Sequence, residues 1–457
     1  MHIPQSLRLQ LGATALLFAL QAQAEQPTVP ALLLPDTEPI DTFYQVTPAE
    51  LGVGEHGHLI RQKDIVPPAG LENSSRNILI IYKSNQNDQA DTPRAVSAIV
   101  AIPKGQRPAD GWPVVSWAHG TLGSADKCAP SMDNQLVADT PALVLHKKIN
   151  YAPHEMLNAF LSAGWAVVMT DYEGTGTVGP HPYLNGQSEA RGILDAVRAA
   201  HQLPSDAQGS PQFSNSFAIV GHSQGGQAAL FAAHYKPSWT NELDLVGVAA
   251  VAPASKLSDL QFLPGLSLVN PEAREGLPFL ILSILGAQRG DPSIDLNRIF
   301  TSAGLALFNE TADSMCRTEL SDSRWTQPSQ GLFNSLTASV LNEQLVAMHP
   351  NLAISVPIRI SQATNDLRVT AEKTRALAKE LNVTNAQNGS APAVCYKEYA
   401  TVAPADPVSL GDHFGTLKSD IGNMLTWLSI RFSHQTLPLC DAIPESGELL
   451  SDSTVLH

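Results

Sequence analysis

The motif around Ser223 contains the residues best suited to chemistry. Gly221-His222-Ser223-Gln224-Gly225 matches the G-x-S-x-G pattern, whose glycines leave room for a sharp turn that exposes the serine hydroxyl. An apolar run, residues 217–220, precedes the motif, and a stretch rich in Ala and Leu follows it, so Ser223 falls between a predicted strand and a predicted helix. Because a serine hydroxyl is a poor nucleophile near neutral pH, the motif predicts a histidine base held by a carboxylate.

The predicted base is His413. In proteins that carry this serine turn between a strand and a helix, the chain order is serine, acid, histidine. His413 lies in a predicted loop, residues 410–415, after all predicted strands and before a predicted helix at 416–431. The other downstream histidines are placed less well. His234 lies on the predicted helix that follows Ser223, and His349 lies at the end of a helical region. His434 follows the last predicted helix, and His457 is the final residue.

The predicted acid is Asp366. The predicted strand at 358–361 runs into Gln362-Ala363-Thr364-Asn365-Asp366, which places this carboxyl at the end of a strand, where catalytic loops of open α/β sheets gather. Asp412 is the main alternative because it adjoins His413. Consecutive residues seldom point their side chains toward each other, so chain order favours Asp366.

Two backbone N–H groups are predicted to bind the oxyanion of the reaction. Gln224 supplies one because it follows the serine, and Thr121 supplies the other from the loop after an early strand. In that loop His119 and Gly120 are the supporting residues, and Gly120 would let the backbone approach the site closely. A tight turn with a purely structural role is the alternative for His119-Gly120.

The elements that must position these residues alternate along the chain. Two apolar segments pair around a polar turn, and later strands alternate with helices, which predicts a mostly parallel sheet covered on both faces. After Pro253 the alternation stops, and residues 254–351 predict a helical cap, with helices at 277–287 and 330–347. A packed domain without a catalytic role is the alternative for this region. The predicted strands are 78–82, 95–102, 113–118, 165–170, 217–220, 245–252 and 358–361.

The chain ends are predicted to lie outside the catalytic core. A short apolar run followed by Ala22-Gln23-Ala24 predicts an export signal at residues 1–24 and a secreted or periplasmic protein. A membrane anchor is the alternative, but the run is shorter than the roughly 18 residues a spanning helix needs. The predicted boundaries are 1–24 for the signal, 25–76 for an extended segment, 77–253 and 352–435 for the two core parts, 254–351 for the cap and 436–457 for the tail.

The cysteines and the charge exclude other classes of protein. Four cysteines in an exported chain predict two disulfides, and we favour Cys128–Cys316 with Cys395–Cys440, since the first pair would fasten the Thr121 loop to the cap. No two cysteines have the C-x2-4-C spacing of a structural zinc site, so we predict no metal. The net charge of −15 and the absence of a Lys and Arg cluster argue against a nucleic-acid partner.

Five segments carry a likeness to a known family: 116–121, 171–174, 186–192, 221–226 and the loops of Asn365-Asp366 and His413. They resemble the secretory lipase family, which includes an A-type lipase of a basidiomycete yeast and bacterial relatives. The resemblance covers residues 40 to 432 and implies an α/β-hydrolase core with a helical cap, no cofactor, and hydrolysis of carboxylic esters, often acylglycerols, by Ser223, Asp366 and His413. The His119-Gly120-Thr121 segment departs from the Tyr-Asp type of the yeast enzyme.

The sequence therefore predicts a serine esterase or lipase, with triacylglycerol hydrolysis as one form of that activity. Its partner would be a small-molecule or lipid ester, with transient contact to a lipid interface. A peptidase or acyltransferase of the same fold, and a non-catalytic binding protein, are the alternatives. Asp171 and Glu173 lie at a predicted strand end, where we expect them to brace loops by accepting backbone N–H bonds.

Overall fold

A nine-stranded sheet forms the centre of the residues that the computed structural model describes. Those residues are 41–67, 69–87, 91–133, 140–204, 212–262, 264, 271–326, 331–334, 339–389, 393–405 and 411–435. Within them the strand order is β1-β2-β3-β5-β4-β6-β7-β8-β9. The strands are β1 Leu59–Ile65, β2 Ser74–Asn85, β3 Pro93–Pro103, β4 Trp112–Ala118, β5 Ala166–Thr170, β6 Phe213–His222, β7 Asp244–Val251, β8 Ile358–Ala363 and β9 Val394–Tyr399.

The pairing of the strands brings the chemistry to one edge. β1, β2 and β3 pair antiparallel, as do β3 and β5, and every later pair from β5 to β9 is parallel. β6 lies between β4 and β7, so the residues that follow these three strands meet at the carboxyl edge. All five residues of β5 and all six of β8 are buried, as expected for parallel strands covered on both faces.

Helices cover both faces of the sheet. One face packs against helices Gly186–Ala200, Gln224–Trp239 and Ala371–Gln387, and the other packs against His154–Ser162 and Ile421–Phe432. This architecture confirms the predicted mostly parallel α/β fold. The remaining α-helices of the described residues are Pro48–Leu51, Pro141–Tyr151, Pro271–Arg274, Leu277–Gly290, Leu296–Ile299, Ser302–Thr311, Arg317–Ser321, Ser339–Ala347 and Gly411–Ser419.

The chain between β7 and β8 forms helices with a hydrophobic core of their own. That core is built around the buried rings of Phe300 and Trp325 and the helix Leu277–Gly290, and it also includes Tyr183 and Leu184 from the segment before helix Gly186–Ala200. Residues of this region and of the sheet belong to one compact unit, Ile40–His457. No helix in the described part of the chain is long and apolar enough to cross a membrane.

Several elements differ from those that the sequence predicts. The predicted helix at 416–431 is divided at Asp420 into Gly411–Ser419 and Ile421–Phe432, and residues 331–334 of the predicted helix at 330–347 are not helical. Residues 25–76 are expected to form an extended segment, but they contain β1. The sequence does not predict this strand because the charged residues of an edge strand hide its pattern. β9 is unpredicted because it contains a buried Glu398, which pairs with Arg375. His413 lies in the helix Gly411–Ser419 instead of a loop, since Gly411 and Gly415 weaken the helical signal.

A disulfide joins Cys128 to Cys316, as the sequence predicts, with the two Cα atoms 5.5 Å apart. It links the loop after β4 to the helical region between β7 and β8. Backbone contacts accompany it, because Gly123 forms a bridge with Cys316 and the Arg317 N–H donates to the Leu122 carbonyl over 2.7 Å. Cys440 and the export signal lie outside the described residues, so the Cys395–Cys440 pair and the signal stay predictions.

We expect removal of the Cys128–Cys316 bond to lower the free energy of unfolding by about 2–5 kcal/mol, because the bond closes a loop of 188 residues in the unfolded chain. Urea unfolding of Cys128→Ser, Cys316→Ser and the double variant measures this. Each single variant should lose about as much as the double variant, since either substitution removes the whole bond. A double variant as stable as the wild type would contradict the expectation.

Candidate active site

Ser223 has a strained backbone at the carboxyl end of β6. Its φ of 59° and ψ of −117° lie in the left-handed half of conformational space, which residues with a side chain rarely occupy. Neighbouring backbone holds this conformation, because the Ser223 N–H donates to the Val251 carbonyl over 2.9 Å and the Ser223 carbonyl accepts from the Ala254 N–H over 3.0 Å. The serine side chain is partly exposed between the sheet and the helix that follows.

The glycines of the motif are required by close backbone contacts. A Cβ atom on Gly221 would lie 2.0 Å from the Gly225 carbonyl oxygen, and one on Gly225 would lie 1.9 Å from the Ala118 carbonyl oxygen. Both distances are far below van der Waals contact, so only glycine fits without moving the backbone. The serine turn is therefore pressed directly against the end of β4.

His413 and Asp366 form a buried hydrogen-bonded pair. The His413 Nδ1 atom lies 2.7 Å from the Asp366 Oδ2 atom, and both side chains are buried. The other carboxylate oxygen accepts from the backbone N–H groups of Arg368 and Val369 over 2.8 and 3.0 Å. Burial alone would raise the pKa of Asp366, but His413 and these donors outweigh it and the pKa is lowered. The carboxylate is therefore charged and can orient the imidazole.

The His413 backbone contacts the serine motif. His222, the residue before Ser223, lies 2.9 Å through its Nε2 atom from the His413 carbonyl oxygen, and the two rings are 4.5 Å apart between centroids. Within the described residues no hydrogen bond joins the His413 ring to the Ser223 hydroxyl, and the ring bonds to Asp366 and not to Asp412. Such catalytic bonds are often long in free enzymes and shorten when substrate binds.

The segments that carry the two expected oxyanion donors, Thr121 and Gln224, lie next to Ser223. A Cβ atom on Gly120 would lie 3.5 Å from the Ser223 Cβ atom, so the loop that carries Thr121 runs beside the serine. Gln224 is the first residue of its helix, and the N–H groups of a helix's first turn have no partner within the helix. The loop of Gly120 and the start of the helix at Gln224 therefore both lie next to Ser223, and the donor role of Thr121 and Gln224 stays a prediction.

Two buried side chains that the sequence does not single out hold these loops. The Tyr183 hydroxyl lies 2.7 Å from the Thr121 Oγ1 atom, and the Glu189 Oε1 atom accepts from Gln224 Nε2 over 2.6 Å and from the Leu184 N–H over 3.1 Å. Leu184 has a positive φ of 58°, another strained position near the site. Glu189 lies in the segment 186–192, which carries part of the family resemblance. From the sequence alone, however, a single carboxyl on an amphipathic helix is expected to lie on the polar face of that helix.

His119 supports its loop and is poorly suited to act as a base. Its Nδ1 atom lies 2.7 Å from the Gly120 carbonyl oxygen, its ring lies 4.4 Å from the Tyr172 ring, and the Tyr172 hydroxyl donates to the His119 carbonyl over 3.0 Å. Burial lowers the pKa of His119 to about 4, so the ring is neutral at ordinary pH. These contacts join His119 to the backbone of its own loop and to the Tyr172 side chain.

The two acidic residues after β5 bind neighbouring loops. Asp171 accepts from the Ser131 N–H over 3.2 Å and from Ser97 Oγ over 2.5 Å, and burial raises its pKa to about 7. Glu173 accepts a hydrogen bond from Ser188 Oγ over 2.5 Å, and it forms an ion pair with Arg94, whose Nε atom lies 3.4 Å from the Glu173 Oε1 atom. In the part of the chain that the structure describes, no group of three His, Cys, Asp or Glu side chains could hold a metal ion.

The sheet order, the strained serine after β6 and the helical region between β7 and β8 define a protein of the α/β-hydrolase fold. The sequence model of the secretory lipase family matches residues 150–438, more than half of the 457-residue chain. The chain belongs to the secretory lipase family.

Individual relatives support the family and the fold. "Lipase A" of Moesziomyces aphidis is 25% identical over 50% of this chain and 46% of its own length. "Probable inactive lipase MT1628" of Mycobacterium tuberculosis is 27% identical over 42% of this chain and 40% of its own length. The chain thus spans less than half of each of these relatives. The crystal structure of Candida antarctica lipase A in its closed state superposes with a TM-score of 0.65 at 18% identity, covering 88% of this chain and 87% of that one.

We expect Glu189 to make the protein less stable as the pH rises. Burial raises the pKa of Glu189 from 4.5 to about 8, although Gln224 and the Leu184 N–H partly oppose the shift. Because the folded state holds this proton more tightly than the unfolded chain, the stabilisation is complete below pH 4.5 and disappears as the pH rises through about 8. In that range the group should remove about 1.4 kcal/mol of stability per pH unit.

Urea unfolding at several pH values between 5 and 8 tests this expectation. Glu189→Gln keeps the acceptor for Gln224 and cannot ionise, so its stability should fall less steeply with pH than that of the wild type. Glu310→Gln, at an exposed position, is the matched control. Equal slopes for the wild type and Glu189→Gln would show that Glu189 does not hold its proton in the folded state.

Proposed function

We propose that this protein is a secreted carboxylic ester hydrolase in which Ser223 is the nucleophile, His413 the base and Asp366 the acid. One observation carries the proposal: the buried hydrogen bond of 2.7 Å between His413 and Asp366, beside a serine held in a strained turn. Strained residues persist where the surrounding structure holds them, and they cluster at active sites. Membership of the secretory lipase family supports the same activity.

In the proposed mechanism the Ser223 oxygen attacks the ester carbonyl carbon while His413 takes the hydroxyl proton. The N–H groups of Thr121 and Gln224 donate to the oxyanion that forms. The carbon–oxygen bond to the alcohol then breaks, and His413 gives its proton to that alcohol. Water attacks the acyl-enzyme with His413 again as base, and the carboxylic acid leaves as Ser223 regains its proton. Asp366 orients the imidazole and stabilises its charged form throughout.

The proposed substrates are lipid esters or small-molecule esters. The relatives are named as lipases, and the chain belongs to the secretory lipase family. Leu367, which directly follows Asp366, is 92% exposed, and Phe262 at the start of the helical region is 60% exposed. We propose that these two side chains make the transient contact with a lipid interface.

Labelling with a fluorophosphonate probe distinguishes the proposed catalytic role from a non-catalytic binding role. The second role needs a test because the Mycobacterium tuberculosis relative is named a probable inactive lipase. The wild type should be labelled on one serine, and Ser223→Ala should not be labelled. Ser238→Ala, at an exposed position on the helix that follows Ser223, is the matched control and should react like the wild type. An unlabelled wild type, or a labelled Ser223→Ala variant, would overturn the proposed role of Ser223.

Replacing the two candidate acids separately tests the role of Asp366. We expect Asp366→Asn to lower kcat by about 10⁴-fold on a 4-nitrophenyl ester, since the amide would favour the wrong imidazole tautomer. Asp412→Asn is the matched control and should retain most of the activity, because the His413 ring bonds to Asp366. The opposite pattern, with Asp412→Asn inactive and Asp366→Asn active, would reassign the acid.

A further inference from the structure

We propose that Tyr183 and Glu189 are positioning residues that hold the two backbone donors to the oxyanion, the N–H groups of Thr121 and Gln224, at a fixed separation. This inference rests on the proposed ester hydrolase function and on its two oxyanion donors. Neither side chain has to touch the substrate, because each acts through the residue to which it is hydrogen-bonded. We call residues 183–189, with these two side chains at their ends, the bridge.

Glu189 joins the bridge to the start of the helix that follows Ser223. Its Oε1 atom accepts from Gln224 Nε2 over 2.6 Å and from the Leu184 N–H over 3.1 Å. Glu189, Gln224 and Leu184 are all buried. Loss of this one oxygen would therefore leave a buried amide and a buried N–H group without their partner. The bond fixes the side chain of the residue whose backbone N–H is expected to face the oxyanion.

Leu184 locks the bridge against the same helix. Its φ of 58° is a conformation that persists only where the surrounding structure holds it. Besides the bond from its N–H to Glu189, its carbonyl oxygen accepts from Gln227 Nε2 over 3.1 Å. Hydrogen bonds on both sides of Leu184 therefore leave the bridge little freedom to move away from Gln224.

Tyr183 joins the bridge to the loop of Thr121. Its hydroxyl oxygen lies 2.7 Å from the Thr121 Oγ1 atom, and both side chains are buried. The loop is also held on either side of Thr121, because the His119 carbonyl accepts from the Tyr172 hydroxyl over 3.0 Å and the Leu122 carbonyl accepts from the Arg317 N–H over 2.7 Å. The bond to Tyr183 reaches Thr121 itself, so it links that residue through the bridge to Gln224.

The helical region between β7 and β8 packs directly on the bridge. A Cβ atom on Gly286, in the helix Leu277–Gly290, would lie 1.9 Å from the Tyr183 carbonyl oxygen, so no side chain fits between them. Tyr183 and Leu184 also belong to the hydrophobic core of that region. This packing restricts Tyr183 before any substrate arrives. Donors that are held in advance need no reorganisation while the oxyanion forms.

The bridge brings no negative charge to Gln224 near neutral pH. Burial raises the pKa of Glu189 to about 8, so its carboxyl group is protonated there and still accepts from Gln224. A carboxylate bonded to the residue after Ser223 would oppose the negative charge that develops on the substrate. Glutamine at position 189 would keep both the acceptor and the neutral charge, so it is the conservative replacement.

Kinetics on 4-nitrophenyl butanoate test the two positioning roles. Tyr183→Phe removes only the hydroxyl group, and Glu189→Ala removes the acceptor for Gln224. Each should lower kcat by about 10- to 100-fold, because small displacements of catalytic groups have effects of this size. KM should change by less than about 3-fold, since the donors act mainly in the transition state. Glu189→Gln should keep most of the wild-type kcat.

Inhibition by 1,1,1-trifluoro-2-hexanone separates positioning from a loss of folded enzyme. The hemiketal of this ketone with Ser223 carries an oxyanion, so its Ki should rise by about the factor by which kcat falls. A smaller fraction of folded enzyme would lower kcat and leave Ki unchanged. Thr121→Val removes the same bond as Tyr183→Phe, and the double variant should lose no more activity than either single variant. If Glu189→Ala does not fold, Gln224→Met removes the same bond from its other side.

Tyr396→Phe is the matched control. This buried tyrosine also loses a hydroxyl bond, of 2.8 Å to Glu398, but it lies on β9 at the edge of the sheet, so kcat and Ki should equal those of the wild type. An active wild type with unchanged kcat in Tyr183→Phe and Glu189→Ala, or with lowered kcat at an unchanged Ki, would overturn the positioning roles alone. A wild type that hydrolyses no 4-nitrophenyl ester would overturn the proposed function with them.

Discussion

Ser223 can keep its strained backbone only because three backbone segments meet around it with no side chain between them. The end of β4, the end of β6 and the start of the following helix come so close that Gly221 and Gly225 leave no room for a Cβ atom. Hydrogen bonds to Val251 and Ala254 tie the same residue to the end of β7. The position of the Thr121 loop, the exposure of the serine hydroxyl and the start of the helix all depend on this contact.

A second buried contact, to the last two parallel strands β8 and β9, holds the helix that carries His413. Asp420 directly follows the helix that carries His413, and it is buried against β8 and β9. Its carboxylate accepts from Arg359 over 2.5 Å, from Ser361 over 2.8 Å and from the Tyr399 hydroxyl over 2.6 Å. A buried ion pair needs this degree of hydrogen bonding to offset its desolvation. Its geometry holds the His413 helix in one place above the sheet.

The sequence predicts the parts of the structure that have a local signal. Apolar runs mark β2 to β8, and the glycines around Ser223 mark the serine turn, because close packing restricts which residues can occupy those positions. Chain order leads to Asp366 and His413, which the structure joins by a hydrogen bond. The pairing of Cys128 with Cys316 also follows from the expected position of the Thr121 loop.

Elements defined by long-range contacts escape this kind of prediction. β9 contains a charged residue whose partner, Arg375, lies on a preceding helix, and β1 is an edge strand with alternating charge. Tyr183 and Glu189 gain their importance from bonds to Thr121 and Gln224, which are distant in sequence.

The most direct test of the central proposal is a crystal structure of the enzyme after reaction with a 4-nitrophenyl alkylphosphonate, whose phosphorus mimics the tetrahedral intermediate. We expect phosphorus bonded to the Ser223 oxygen, the His413 Nε2 atom within about 3 Å of that oxygen, and the phosphoryl oxygen within about 3 Å of the Thr121 and Gln224 nitrogen atoms. An adduct on another residue, or a phosphoryl oxygen turned away from both backbone donors, would contradict it.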